Sequence, residues 1–147
     1  MTNIKMVQII GFNLTKAFAE REKEIKGQVT VKHNIEVKDV RKESVTLSKD
    51  KDVVCFDFEF SVSYEPKLAK IIFEGNVLIL AEPKETKEIL KNWKKKEGIE
   101  NIRLLVYNTI LAKCSVKALQ LESDLNLPSH IPLPKLAPAK QVTNYAG

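Results

Sequence analysis

Alternation between apolar and polar residues marks two segments in the first half of the chain. In residues 54–64 the apolar positions are Val54, Phe56, Phe58, Phe60, Val62 and Tyr64, and Cys55, Asp57, Glu59, Ser61 and Ser63 lie between them. Residues 29–38 repeat the pattern with Val29, Val31, Ile35 and Val37. A period of two residues is typical of a β-strand with one buried face. The pattern therefore predicts two such strands, and the apolar run at residues 68–80 predicts a third.

The N-terminal segment, residues 4–20, alternates less regularly. Its apolar residues Met6, Ile10, Phe12, Leu14 and Phe18 share one parity. This favours a long strand bent at Gly11, although a helix over residues 14–25 also fits the apolar spacing. We also predict a short strand at residues 45–47 and a turn at residues 49–52. Because long strands with short connections pair antiparallel, we expect a four-stranded antiparallel sheet.

The second half of the chain has helical spacing. After Pro83, the positions of Ile89, Leu90 and Trp93 predict a short helix with Gly98 as its C-terminal cap. A longer helix is predicted over residues 101–124, and four prolines at positions 128, 132, 134 and 138 end regular structure. The fold class is therefore α+β: one domain, residues 1–136, in which the long helix packs on the sheet and a proline-rich segment follows. Residues 137–147 are predicted to be a flexible tail.

The long helix carries two apolar stripes. The first consists of Leu105, Ala112, Val116 and Leu119, and the second of Leu104, Tyr107, Leu111, Cys114, Ala118, Leu121 and Leu125. Polar residues separate them, with Asn108, Ser115 and Glu122 on one side and Lys113, Lys117, Gln120 and Asp124 on the other. A surface helix usually has a single stripe, which faces its own core. We therefore expect one stripe to pack on the sheet and the other to meet a second subunit, a client or the proline-rich segment.

Composition and charge narrow the possible classes. The chain has 147 residues, of which 44% are hydrophobic and 29% charged, as in a globular domain with its own core. The net charge of +5 leaves nucleic acid, anionic membrane and acidic proteins open as partners. No segment resembles a leader peptide or a membrane span, and two cysteines form no disulfide framework, so we expect a cytoplasmic protein without membrane insertion.

Few residues point to catalysis or to metal binding. The two histidines, His33 and His130, have no acid or cysteine beside them in a triad or zinc spacing. Asp57 and Glu59 are predicted to lie on a solvated strand face. Cys55 and Cys114 are predicted to be inert buried thiols. We therefore expect no enzyme activity, no metal and no cofactor.

A lysine-rich segment is the feature that points to nucleic acid. Trp93 is surrounded by Lys84, Lys87, Lys91, Lys94, Lys95 and Lys96. Lysines can bind phosphates while a tryptophan stacks on a base. The segment contains no arginine, so a solvated lysine face with Trp93 turned inward is favoured, and a nucleic-acid-binding module is kept as the alternative function.

Several local sequences, taken in their order along the chain, resemble the SecB-like chaperone family. The segment VQIIGFNLTK, residues 7–16, is similar to the family's first strand, residues 55–64 to its third strand, and residues 101–123 to its main helix. The sequences LNLP and IPLP, within residues 125–134, are similar to the crossover segment that follows this helix. The order of these elements carries more of the resemblance than any single sequence does.

The resemblance implies a function as well as a fold. SecB-like proteins are generally tetramers, dimers of dimers, that hold unfolded or pre-export polypeptides in apolar grooves without ATP, and some serve antitoxins. It implies that clients bind at Leu104, Tyr107, Leu111, Leu127, Ile131 and Leu133. This chain is basic where bacterial SecB is acidic, and residues 139–147 do not match the family's second helix, so docking on the translocase motor SecA is not expected.

Overall fold

Four strands are followed by two helices in the computed structural model, which describes residues 7–43, 50–95 and 97–138. The elements are β1 (Gln8–Arg21), β2 (Thr30–Lys42), β3 (Asp52–Glu65), β4 (Ala69–Ala81), α1 (Pro83–Asn92) and α2 (Glu100–Asp124). The predicted α+β fold is confirmed. The short strand predicted at residues 45–47 lies outside the described residues, as does the predicted tail from residue 139 onward.

The sheet is fully antiparallel, with the strand order β1-β4-β3-β2. The first two strands are therefore not neighbours but the two edges of the sheet. The connection between them, residues 22–29, crosses from one edge to the other at the end where β3 and β4 are joined by their hairpin.

One face of the sheet is buried, as the alternation predicts. On β3 and β4 the side chains on this face are buried: Val54, Phe56, Phe58, Phe60, Val62, Tyr64, Ala69, Ile71, Phe73, Val77, Ile79 and Ala81. Phe58 stacks on Phe12 of β1 with ring centroids 5.4 Å apart, and Phe60 stacks on Phe73 at 5.9 Å. Each large apolar side chain removed from water contributes about 1.5–3 kcal/mol, so this face provides most of the core.

The first segment is a strand and not a helix, but its side chains do not keep the predicted parity. Where a bend at Gly11 was expected, the pairing of β1 with β4 shifts its register between Ile9 and Gly11. A second shift lies between Leu14 and Lys16. Each extra residue reverses the direction of the side chains that follow. The expectation that all its apolar residues share one face is therefore wrong: Phe12 lies on the buried face, whereas Phe18 pairs with Ile72 on the opposite face.

The short helix α1 begins at Pro83, where the missing N–H has no helical partner to lose. The Glu82 N–H donates to the carboxylate of Glu85 at 3.3 Å, which satisfies one free donor of the first turn. The helix ends at Asn92, so the prediction that Gly98 caps it is wrong. Gly98, with φ of 71°, lies in the turn that leads into α2, where a left-handed backbone favours glycine.

Candidate functional site

The face that α2 turns to the sheet is defined by Val106, Ile110, Cys114 and Ala118, all fully buried. These positions are four residues apart and form one continuous row, inclined to the axis of the helix. The second predicted stripe therefore supplies part of the sheet-facing side, because Cys114 and Ala118 belong to both. The first predicted stripe, Leu105, Ala112, Val116 and Leu119, which we call the outer stripe, lies away from the row, and Val116 is 69% exposed.

The six residues expected to bind clients occupy three kinds of environment. Leu104 and Leu111 on α2 and Leu133 beyond it are exposed, Leu104 to 58% and Leu133 to 53%. Tyr107 and Ile131 are half-buried, and Tyr107 stacks on Trp93 with centroids 6.4 Å apart. Leu127 is buried in the core, so it is not part of an accessible surface in this structure.

A groove of about 420 Å³ runs between β1 and α2. Its apolar lining is Phe12, Leu14, Ala112 and Val116, and its polar lining is Lys113, Lys117 and Gln120. The groove therefore joins the outer stripe of α2 to an edge strand of the sheet.

The segment after α2, residues 127–138, which we call the crossover segment, turns back along the helix. The Leu127 N–H donates to the Glu122 carbonyl at 2.8 Å, after Asn126 has adopted a left-handed backbone with φ of 54°. Three residues later, the ring of His130 reaches Ser115. Since Ser115 precedes Glu122 by two helical turns, the crossover segment travels toward the N-terminal end of α2.

The sequence-based view of His130 as an isolated residue is wrong. Its Nδ1 lies 2.8 Å from Oε2 of Glu122, and its backbone N–H donates to Oε1 of the same carboxylate at 3.2 Å. Its Nε2 lies 3.2 Å from Oγ of Ser115. We call these three residues the His130 cluster. Ser115 and Glu122 were predicted to form a polar seam on the helix, but both are buried.

The His130 cluster links a hydroxyl, an imidazole and a carboxylate through close contacts, and these are the three groups of a hydrolase triad. Its surroundings, however, indicate a structural attachment of the crossover segment. The side chain of His130 is fully buried and packs edge-on against Phe60 and His33, and Ser115 is only 8% exposed. A scissile bond would have to reach this hydroxyl through the packed domain. The arrangement therefore serves to hold the crossover segment against α2 and the sheet.

A signal for this cluster was present in the sequence. Ser115 and Glu122 are seven residues apart, which places them on the same side of a helix, and His130 follows within eight residues. What the sequence could not show was that the chain reverses direction after Leu125.

Comparisons with known proteins agree with this geometry at the level of the fold. No family model matches the chain, and no curated protein matches it. Among solved structures, the chain is similar to the Mycobacterium tuberculosis SecB-like chaperone Rv1957, in complex with a ChAD peptide from the antitoxin HigA1 (Rv1956). The TM-score is 0.50 at 14% sequence identity, and the match covers 91% of this chain and 93% of that chain. The chain has a SecB-like fold. The fold predicted from the order of elements is therefore confirmed.

In the lysine-rich segment, Trp93 is turned inward, as the sequence predicts. Trp93 is buried against Phe56, with ring centroids 5.1 Å apart, and the guanidinium of Arg103 lies 4.0 Å above its ring. It is therefore not free to stack on a base. The exposed lysines described around it are Lys84, Lys87, Lys91, Lys94 and Lys95.

The remaining candidate residues of the SecB-like domain have ordinary environments. Asp57 pairs with Arg41, and Glu59 pairs with Lys38 at 2.6 Å, on the face of the sheet opposite α2. Both cysteines are free and buried. Within residues 7–43, 50–95 and 97–138, no group of three or more histidine, cysteine, aspartate and glutamate side chains is placed to hold a metal ion. In the same described residues, neither helix is long and apolar enough to cross a membrane.

Proposed function

We propose that this protein is an ATP-independent chaperone that holds unfolded polypeptides. The observation that carries the proposal is that large apolar side chains are left exposed on α2 and on the crossover segment of a SecB-like fold. Leu104, Leu111 and Leu133 are exposed, although each would gain about 1.5–3 kcal/mol from full burial. Clustered exposed apolar residues mark surfaces that bind other polypeptides.

The direction of the crossover segment supports a groove with two walls. The segment passes Ser115 at His130, and we infer that it continues beside the part of α2 that carries Leu111 and Leu104. Ile131 and Leu133 would then form one wall and the exposed leucines of α2 the other. An extended client would bury its apolar side chains between them, and release would need no nucleotide because the contacts are apolar and reversible.

One narrower client class is supported by the structural comparison. The M. tuberculosis protein of similar fold was solved with a peptide from an antitoxin. We therefore include a short apolar segment of an antitoxin among the candidate clients of this chain, beside unfolded or pre-export polypeptides in general.

Aggregation suppression without ATP tests the proposal. Leu111→Ser and Leu133→Ser remove exposed side chains, so they should leave the melting temperature almost unchanged and weaken client binding by about 1–2 kcal/mol each. Phe58→Ala is the matched control, because it removes a buried ring and should cost about 3–5 kcal/mol of folding stability. Suppression should be measured per folded molecule, against an aggregating unfolded enzyme.

The opposite pattern would refute the groove. In that case Leu111→Ser and Leu133→Ser would lower the melting temperature as much as Phe58→Ala does, with suppression per folded molecule unchanged. The mass of the particle must be followed by light scattering in each variant, since loss of assembly would also reduce client binding.

A further inference from the structure

The crossover segment is attached to the domain near its start. The Tyr64 hydroxyl donates to the Pro128 carbonyl at 2.8 Å, and burial raises the pKa of this phenol, so the hydroxyl keeps the proton that it donates. The backbone and ring of His130 are then held by Glu122 and Ser115. From Pro132 to Leu136 the segment is exposed. The position of these exposed residues therefore depends on the attachment before them.

His130 is the residue through which this attachment reaches three elements. Its ring contacts Glu122 and Ser115 on α2, packs against Phe60 on β3 with centroids 5.8 Å apart, and packs against His33 on β2 at 5.5 Å. The ring therefore lies in a slot between the helix and the buried face of the sheet.

A polar attachment of this kind defines a position more narrowly than an apolar contact does. Apolar side chains can slide along one another at little cost, whereas a buried carboxylate that loses its hydrogen bonds pays the cost of desolvation. Glu122 accepts from both the ring and the backbone of His130. Moving the crossover segment along α2 by one residue would break both hydrogen bonds at once.

We propose that His130, Glu122 and Ser115 are positioning residues for client binding. They fix the crossover segment at one position along α2, and so set the separation between Ile131 and Leu133 on one wall and Leu111 on the other. This inference depends on the proposed function, since it concerns the groove in which a client would be held.

The test measures two quantities in each variant. Amide hydrogen exchange reports whether the crossover segment detaches from α2, and the Kd reports the affinity for a client. His130→Phe keeps an aromatic ring, somewhat larger than the imidazole, but removes both ring hydrogen bonds. Amide hydrogen exchange at residues 129–131 should rise about tenfold, and the Kd for reduced, carboxamidomethylated lactalbumin should rise about fivefold. Exchange in β3 and β4 should stay as in the wild type.

Two further variants separate positioning from general stability. Glu122→Gln keeps one oxygen that accepts from the His130 N–H, and its amide NH2 can donate to Nδ1 in the other neutral tautomer of the ring, so exchange and Kd should stay within about twofold of the wild type. Thr86→Val is the matched control: Thr86 is also buried, and its hydroxyl donates to the Glu82 carbonyl at 3.1 Å at the start of α1, a hydrogen bond in which no residue of the crossover segment takes part. It should lower stability without changing either readout. Should His130→Phe fail to fold, Ser115→Ala, which removes only the contact to Nε2, replaces it.

Three results would overturn the inference. The first is unchanged exchange at residues 129–131 in His130→Phe. The second is faster exchange with an unchanged Kd, which would leave the cluster as an anchor without influence on the groove. The third is an equal rise in Kd in Thr86→Val. A wild-type protein that binds no lactalbumin would instead refute the proposed function, and the exchange measurement distinguishes this case because it does not require a client.

Discussion

At the scale of single residues, a close approach between the backbones of β1 and β4 depends on Gly75. A Cβ atom at this position in β4 would lie 2.0 Å from the carbonyl oxygen of Asn13 in β1. No rotation of a side chain can relieve a clash with backbone. The glycine is therefore required by the bulged path of β1 and not by its own dihedral angles.

Gly75→Ala should consequently lower the free energy of unfolding by about 3 kcal/mol, as overpacking in a well-packed core does. Gly11→Ala is the matched control in the neighbouring strand. There a Cβ would lie 3.2 Å from Cδ1 of Leu78, the end of a flexible side chain, so the loss should be about 1 kcal/mol. Urea unfolding of both variants measures the difference, and equal losses would contradict this account of the β1–β4 contact.

The two thiols allow a prediction about reactivity. Burial raises the pKa of Cys55 to about 11, although the nearby Arg41 favours the thiolate, and burial raises the pKa of Cys114 to about 12. Only the thiolate attacks a disulfide reagent. At pH 8 the folded protein should therefore react with a water-soluble aromatic disulfide very slowly, and both thiols should react at once in urea. Cys55→Ser and Cys114→Ser assign the two signals, and rapid reaction of either thiol in the folded protein would contradict the inert assignment.

At the scale of elements, the sequence predicted buried side chains most accurately in strands whose apolar alternation is not interrupted by a bulge. The strand β3 keeps its alternation from Val54 to Tyr64, and the structure buries those side chains. The strand β1 does not, because two bulges reverse its parity, and a bulge leaves no mark in the apolar pattern. On α2 the spacing identified two apolar stripes. It did not show that the row facing the sheet begins with Val106 and Ile110, which belong to neither stripe.

The junction between α2 and β1 leads to a prediction about Arg21. Its guanidinium donates to the carbonyl of Leu125 at 2.8 Å and to that of Asn126 at 3.4 Å, the two carbonyls that directly follow the last residue of α2. Arg21→Met keeps much of the side-chain length but removes the donors. We expect a loss of about 1–3 kcal/mol in the free energy of unfolding, together with faster hydrogen exchange in the last turn of α2.

Arg41→Met is the matched control for that change. Arg41 pairs with Asp39, Glu43 and Asp57 on the exposed face of the sheet, where ion pairs contribute little in water. Its loss should lower the free energy of unfolding by less than about 1 kcal/mol and leave α2 unaffected. A larger effect for Arg41→Met than for Arg21→Met would show that Arg21 does not hold the end of α2.

At the scale of the whole molecule, the two edges of the sheet are unequal. The edge strand β2 alternates its apolar residues with lysine, aspartate, glutamate and asparagine, and charged side chains on an edge discourage pairing with another strand. The edge strand β1 contributes Phe12 and Leu14 to the groove beside the outer stripe of α2. Of the two edge strands, β1 is therefore the one that carries apolar side chains to a groove beside α2, and the strand order that brings it there was not visible in the sequence.

This asymmetry supports assembly through the β1 side, and we predict that the protein forms a dimer or a larger homo-oligomer. Light scattering at micromolar concentration should give a mass above that of one chain. Val116→Lys places a charge on a residue that is 69% exposed, so it should leave the fold of the single chain intact and shift the population to smaller particles. Leu136→Lys is the matched control, because Leu136 is fully exposed on the crossover segment and is not part of the groove beside β1, so its change should leave the mass as it is. A wild-type protein that stays monomeric would contradict the prediction of assembly, whereas an oligomer unaffected by Val116→Lys would place the interface elsewhere than on the outer stripe.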